Sequence, residues 1–374
     1  MARIIDKLLG KNYVPLNVVE VSKSSLIHNY KYLTKLAGIP VAPVLKSNAY
    51  GHGIELVGKI LDPLSPPMFC VDSIFEAYQL LKIKIKTPVL VMGYVSGENL
   101  KIKKLPFSFS AYTNEMLENV AKFQPQAPVH IFVDTGMHRE GVPLEHLERF
   151  IRKAQKFGLK IAGLMSHSAK PDDPFHINTV RQIKNFKEAF NIGKRLGVEF
   201  AYIHLFASVG VMNIKNFSMR GNMARVGKAL YGIDVVENSE ELRPALELKS
   251  TIIQVKDLKK GERVGYDLVF KAPKDMVTAV LPIGYNDGVD RRLSNKGFVQ
   301  VNGIYCQIIG RVSMNITVID VTDVKNPRVG QKVIIFSNRP KDKNSIFNVS
   351  QVCDAIPYEL MSHIYPTTRR VLAN

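Results

Sequence analysis

A lysine at the end of an apolar run is the first residue here whose setting suggests chemistry. Lys46 closes Pro43-Val44-Leu45 and precedes Ser47-Asn48-Ala49-Tyr50-Gly51-His52-Gly53. At a strand end its amine points toward the mouth or core of a domain. Loss of water there lowers an ammonium pKa and leaves a nucleophilic amine. For a lone lysine, a surface position is the plainer reading. Arg225 and His167 also end apolar runs, at 222–226 and 160–167. Arginine stays charged and only donates hydrogen bonds, so taken alone Arg225 reads as half of a salt bridge. His167 alone reads as a satisfied polar residue at a strand end.

These residues need a scaffold that gathers strand ends. Short apolar runs at 41–46, 68–72, 88–93, 107–111, 128–134, 160–167, 200–206 and 222–226 alternate with amphipathic stretches such as 144–157 and 178–196. Eight strands alternating with helices predict a parallel (β/α)₈ barrel, whose functional groups collect at the carboxyl ends of the strands. A further strand at 17–21 would be a ninth and is expected outside the barrel. Ser24 or Ser25 is expected to cap the helix after it.

The pattern changes near Arg243-Pro244. Strand-like runs at 250–255, 276–281, 298–301, 307–312, 317–321 and 332–336 are then separated by Gly, Asp and Asn turns, with one helical stretch at 345–355. The expectation is an α/β barrel over residues 1–244 and an all-β domain over 245–374.

The chain has 374 residues, 46 % hydrophobic and 22 % charged, which suits a soluble protein with a large core. Residues 1–13 carry Asp6 and Lys7 inside their only apolar stretch and lack the pattern of a cleaved leader. No apolar run approaches the ~20 residues that span a bilayer, so no membrane partner is expected. Cys70, Cys306 and Cys353 are scattered and odd in number, which points to a reducing cytoplasm and away from a disulfide framework or a zinc site. The net charge of +18 is dispersed in short clusters such as Lys101-Lys103-Lys104, with no basic tail or reading motif. Nucleic-acid binding is therefore disfavoured, although a positive field attracts small anions, phosphate-bearing cofactors included.

The run KSNAYGHG closely resembles the cofactor-lysine signature of the alanine racemase family. VDTGMHREG, MSHSA, RVGKALYG, GERVGYD, PIGYNDG, GRVSMN and IPYE follow in that family's order over nearly the whole chain. The resemblance implies that Lys46 holds pyridoxal 5'-phosphate as a Schiff base and then serves as one of two acid/bases. It implies phosphate contacts from Tyr50, Ser208, the backbone at Gly227, and Tyr358. A phosphate needs several such donors at once. Arg225 matches the arginine facing the pyridine nitrogen. It would leave that nitrogen unprotonated and favour racemisation over transamination or decarboxylation. Tyr266 matches the second acid/base, contributed by the partner subunit of an obligatory homodimer. His167 matches the histidine that orients this tyrosine. A phenol with a free pKa of ~10 needs positive neighbours to act as a base. Arg139 resembles the substrate-carboxylate ligand, with the backbone N–H of the partner's Met314 as second donor. The implied reaction interconverts L- and D-alanine and supplies D-alanine for peptidoglycan. Tyr285 and Tyr358 are expected to narrow the side-chain pocket. A broader racemase, acting on serine or basic amino acids, shares much of the pattern.

Several positions depart from the family. Many relatives carry a lysine, often carbamylated, where Phe132 stands. Phe132 cannot carry a carbamate, so another group must position Arg139. Asn315 replaces a usual aspartate and Val226 a frequent proline. Lys228 stands where an apolar residue is common, without consequence if only its backbone meets the phosphate. The tail HIYPTTRRV differs from the usual arginine–valine–proline run. A barrel-only cofactor carrier is disfavoured by residues 245–374 and Tyr266. A decarboxylase of the same fold is disfavoured by Arg225, since that family uses an acidic pyridine partner.

Overall fold

The structure is a computed structural model describing residues 14–233 and 241–373. The expectation for residues 1–13 lies outside the described residues. The described residues fall into two compact units: 26–49 with 57–242, and those up to 25 with 50–56 and from 243 onward.

The first unit is the (β/α)₈ barrel. Its strands are β2 (Val41–Pro43), β3 (Phe69–Val71), β4 (Val89–Val91), β5 (Phe107–Ala111), β6 (Val129–Asp134), β8 (Ile161–Met165), β9 (Tyr202–His204) and β10 (Ala224–Val226). β1 is Val18–Val21, and β7 (Val142–Pro143) pairs with the end of β6. From β3 to β9 the strands form one continuous parallel sheet. β10 pairs in parallel with β2. Hydrogen bonds close the two seams: Leu45 N–H donates to Cys70 O at 2.8 Å, and Asn222 N–H and Arg225 N–H donate to Ile203 O and Phe206 O at 3.0 and 2.9 Å. All eight runs read from the sequence are barrel strands. Nearly every residue in them is buried, as parallel strands covered on both faces require.

Polar caps start the intervening helices. Ser73 and Glu76 form a capping box on helix Ile74–Lys82, and Thr113 caps Asn114–Phe123. Helices Leu147–Lys156 and Ile177–Arg195 fall where 3.6-residue periodicity places them.

In the second unit, β1 lies between β11 (Leu246–Thr251) and β20 (Arg369–Leu372), antiparallel to the first and parallel to the second. The ninth strand is thus outside the barrel, as expected. The helix after it starts at Lys23, so the cap is Ser22, whose Oγ accepts from Ser25 N–H at 3.1 Å, and not Ser24 or Ser25. The predicted strand at 250–255 is two strands, β11 and β12 (Gln254–Leu258), which join different sheets. After the two-residue strands β13 (Arg263–Val264) and β14 (Phe270–Lys271) come β15 (Met276–Leu281), β16 (Phe298–Val301), β17 (Ile304–Gln307), β18 (Thr317–Asp320) and β19 (Lys332–Phe336). β17 lies upstream of the predicted 307–312 because Asn302-Gly303 makes a tight turn with positive φ at both residues. Helix Ile346–Val352 was expected; Pro357 starts a second, Pro357–Ser362. No helix among the described residues is long and apolar enough to cross a membrane.

Candidate active site

Lys46 emerges from β2 on a strained turn. Ser47, Asn48 and Ala49 have φ of 53, 53 and 55° with ψ of 51, 45 and 50°, and Tyr50 has φ 52°. None is glycine, and left-handed backbone costs roughly 1–2 kcal/mol for each such residue. Three sets of bonds hold the turn. Tyr231, fully buried, donates its hydroxyl to Val44 O at 2.8 Å. Ala49 N–H donates to Leu45 O at 2.9 Å. Ser47 N–H donates to Glu76 Oε1 at 2.6 Å, while Glu76 Oε2 accepts from Asp72 N–H at 2.8 Å and Ser73 N–H at 3.2 Å. One carboxylate thus caps a helix and braces the turn behind Lys46. The Lys46 amine lies 3.8 Å from Asp72 Oδ1, and both side chains are partly open to solvent.

Arg225, on the strand paired to β2, is only 4 % exposed. Its Nη1 meets His204 Nδ1 and donates to His204 O, each at 2.6 Å, and Nη2 donates to Ser166 O at 2.6 Å. His204 Nε2 meets His130 Nδ1 at 2.8 Å. Gly163 makes room for the His130 ring: a Cβ there would lie 2.3 Å from Nδ1. Burial, then the Arg225 charge, push His130 down to about 3. Burial likewise holds His204 well below the usual histidine range, with smaller contributions from Arg225 and His130. Burial lowers Arg225 to about 10, so it remains a cation at neutral pH. Its neighbours are neutral acceptors. Three of its five N–H hydrogens are engaged, leaving Nε–H and one on Nη2 for a buried acceptor that carries no proton.

A second donor cluster follows β9 and β10. Ser208 is buried, and its Oγ accepts from Gly227 N–H at 3.2 Å and Ala229 N–H at 3.3 Å. With two N–H groups directed onto that oxygen, the hydroxyl proton is left to donate elsewhere. In (β/α)₈ barrels the loops after the seventh and eighth strands are the usual phosphate site. An amine at Lys46 just after β2, a donor at Arg225 on β10 with no carboxylate hydrogen-bond partner among the described residues, and a hydroxyl at Ser208 just after β9 suit the aldehyde, ring nitrogen and phosphate of pyridoxal 5'-phosphate.

Arg139 stands on a closed loop after β6. Asp134 Oδ1 accepts from the N–H groups of Gly136, Met137 and His138 at 2.9, 3.0 and 3.1 Å. Those bonds hold the Asp134 carboxyl below its ordinary pKa despite the opposing effect of burial. Gly141 has φ +124°, and a Cβ there would lie 2.4 Å from Asp134 N. His167 follows β8 on a loop fixed by Gln182, whose amide donates to His167 O at 3.1 Å and accepts from Ala169 N–H at 2.9 Å. Burial, then Arg225, Arg139 and Lys46, push the His167 imidazole down to about 3. The barrel mouth is therefore cationic with a neutral histidine.

Tyr266 and Met314 belong to the second unit and share the wall of a cavity of about 660 Å³ with Tyr285, Asp290, Arg291 and His363. Tyr266 is 70 % exposed and follows Gly265, with Arg311 Nε bonded to Asp267 Oδ2 at 3.2 Å. Tyr285 N–H and Asn286 N–H donate to Ser313 O and Met314 O, each at 3.0 Å. These bonds dock the PIGYNDG loop on the GRVSMN loop. Tyr50 and Tyr358, in the same unit, meet edge to face at 6.3 Å.

The sequence reading missed Glu76, His130, His204 and Glu140. Glu76 was findable from the capping-box spacing Ser73-Ile74-Phe75-Glu76. His130 was findable as a polar interruption of an otherwise apolar parallel strand.

The alanine racemase N-terminal domain family matches residues 21–235, and the alanine racemase C-terminal domain family matches residues 245–372. "Alanine racemase 2" of Caldanaerobacter subterraneus subsp. tengcongensis is 32 % identical over 94 % of this chain and 93 % of its own length. The solved alanine racemase from E. faecalis aligns over 97 % of this chain and 99 % of its own, with TM-score 0.87 and 26 % identity. The Bacillus anthracis alanine racemase structure with bound L-Ala-P aligns over 94 % of this chain and 93 % of its own, with TM-score 0.85 and 25 % identity.

Proposed function

The chain belongs to the alanine racemase family and is an isomerase, and from that premise we propose that it interconverts L- and D-alanine with pyridoxal 5'-phosphate, as a homodimer with shared active sites. The observation that carries the cofactor reading is Arg225. It is a buried cation with no carboxylate hydrogen-bond partner among the described residues, its remaining donors suited to an unprotonated ring nitrogen. An acidic residue there would instead stabilise a protonated ring and suit decarboxylation or transamination. When bound, the cofactor supplies an aldehyde that condenses with amines and a ring that accepts electron density from Cα.

The chain's own residues do the rest. Lys46 holds the cofactor through Nζ, while Ser208, the Gly227 backbone, Tyr50 and Tyr358 hold its phosphate. Arg139 and the Met314 N–H of the second copy bind the substrate carboxylate. Racemisation removes a proton from one face of Cα and delivers one to the other. Lys46 Nζ serves one face, and Tyr266 Oη of the second copy serves the other. His167, neutral beside three cations, orients that tyrosine. Tyr266 and Met314, 70 % and 57 % exposed, support a second copy covering this face. The free cysteines Cys70, Cys306 and Cys353 support a cytoplasmic reaction, whose D-alanine would feed peptidoglycan.

The test is the visible absorption of the purified protein together with its action on each enantiomer. Wild type should absorb in the visible, lose that band on borohydride treatment, and bring either pure alanine enantiomer to a racemate. Lys46→Ala should do none of these. A colourless wild type that binds no added pyridoxal phosphate would overturn the reading.

A further inference from the structure

We infer that Glu140 positions Arg139 for the substrate carboxylate; the inference rests on the reading of Arg139 given above. Arg139 donates from Nε to Glu140 Oε2 and from Nη2 to Oε1, the latter at 2.6 Å. A guanidinium can present two edges to a carboxylate. Glu140 takes the Nε/Nη2 edge and leaves the Nη1/Nη2 end for a second anion. This pairing is the largest contribution raising the Arg139 pKa.

At Phe132 the barrel wall offers Arg139 no hydrogen-bond acceptor, and Asp72 contributes only a smaller favourable charge than Glu140. Phe132 is 6 % exposed and packs edge to face on Tyr112 at 6.1 Å. A phenyl ring can neither ionise nor accept a strong hydrogen bond from the guanidinium. Burial raises the Tyr112 pKa, and the charges of Glu140 and Asp72 raise it further, so Tyr112 stays a neutral phenol. The anchoring carboxylate therefore comes from the loop itself.

An ion pair between adjacent exposed residues ordinarily orients little, because both side chains wander. Here the loop is fixed from both sides. Asp134 binds the three N–H groups just before Arg139. After Glu140, Gly141 packs on the Asp134 backbone and β7 pairs with Val133 and Asp134. The Glu140 side chain is only 28 % exposed, against 55 % for Arg139. The more buried carboxylate is the anchor, and the arginine head is the part left reachable.

The test combines steady-state kinetics with NMR of the cofactor-free protein. Glu140→Gln should raise KM for alanine about 10-fold, the scale of a lost charge-assisted hydrogen bond, and change kcat less. Glu140→Asp keeps the charge and should recover part of the loss. In cofactor-free wild type the Arg139 Nε–H should exchange slowly with solvent, and Glu140→Gln should remove that protection. If Glu140→Gln fails to fold, Glu140→Asp reads the same effects against wild type. An unchanged KM with unchanged exchange would overturn the inference. A lower KM in Glu140→Gln would also overturn it, showing that Glu140 competes with substrate. Arg139→Lys separates the two readings. If it raises KM while Glu140→Gln does not, only the role of Glu140 fails. If it leaves KM unchanged, the carboxylate reading of Arg139 fails first.

Discussion

Arg225 and His204 are joined at 2.6 Å between Nη1 and Nδ1, and the direction of that bond sets the proton positions of two histidines. Arginine only donates, so His204 Nδ1 accepts and its proton is on Nε2. That proton is donated to His130 Nδ1, so the His130 proton sits on its own Nε2, which is buried with no hydrogen-bond partner among the described residues. The chain of donors runs outward from Arg225, and both rings are neutral. His204→Leu removes the acceptor and leaves part of a buried cation unsatisfied, a cost of about 1–3 kcal/mol. The expected outcome is a lower denaturation midpoint and a loss of kcat/KM of about 10-fold or more. ¹⁵N NMR of the wild-type imidazoles should show Nε2–H tautomers at both positions. An Nδ1–H tautomer at His204 would refute this arrangement.

Two buried histidines, His130 and His167, weaken the fold in acid. His130 and His167 titrate near 3 in the folded chain, against about 6.5 when unfolded. Between those values the unfolded chain binds more protons than the folded one, so stability rises with pH across the window and is lost as pH falls from about 6.5 toward 3. Each such histidine contributes a slope of up to about 1.4 kcal/mol per pH unit. Urea unfolding at pH 7, 6, 5 and 4 should show this fall. His130→Gln, which cannot titrate, should flatten it.

Phe132 leads to a third expectation. A carbamylated lysine at this position would need dissolved carbon dioxide, and a phenylalanine does not. Exhaustive removal of carbon dioxide and bicarbonate should leave kcat/KM unchanged within error. A loss restored by bicarbonate would mean that another amine near Arg139 carries the group.

How legible the site was in the sequence depended on how far apart its parts lie along the chain. Lys46 and Arg225 end apolar runs, and a parallel barrel gathers such strand ends at one face, so alternation made them candidates; taken alone each had a plainer reading, and only the family motifs gave it a role. The left-handed turn at 47–50 left no trace, because no glycine marks it and its support comes from Glu76 in the next helix. Glu140 is part of a quoted motif, but adjacency says nothing about whether two side chains meet. That takes the closed loop built by Asp134 and Gly141. In the second unit, local turns were readable while partners were not. β1 finds β11 and β20 across most of the chain, and no local pattern encodes a pairing of that separation.

Two aromatic residues are expected to limit substrate breadth. Tyr285 lines the cavity with Tyr266, and Tyr358 packs against Tyr50. Alanine should show the highest kcat/KM, with serine slower and lysine lower by at least about 10-fold. A hydrophobic pocket discriminates by only about 1–3 kcal/mol per methylene, so serine is not excluded. Equal kcat/KM for alanine and lysine would identify a broad-specificity racemase.

The shared-site reading has the sharpest test. Lys46 belongs to the barrel, whereas Tyr266 lies in the other unit with its ring exposed. If each site takes Lys46 from one copy and Tyr266 from the other, Lys46→Ala and Tyr266→Phe homodimers each lack one base at both sites. Tyr266→Phe should still absorb in the visible, because the phenol forms no bond to the cofactor. It should remove the proton from one alanine enantiomer much more slowly than from the other; by family resemblance the impaired one is L-alanine. Mixing the two variants under subunit exchange makes a heterodimer with one site missing both groups and one site intact. A pure heterodimer should then recover about half of wild-type activity if sites act independently. If Lys46 and Tyr266 of one site came from the same copy, every site in the mixture would still lack one base. Absence of recovery, with exchange proven by mass spectrometry of tagged copies, would rule out the shared site and leave one built within a single chain.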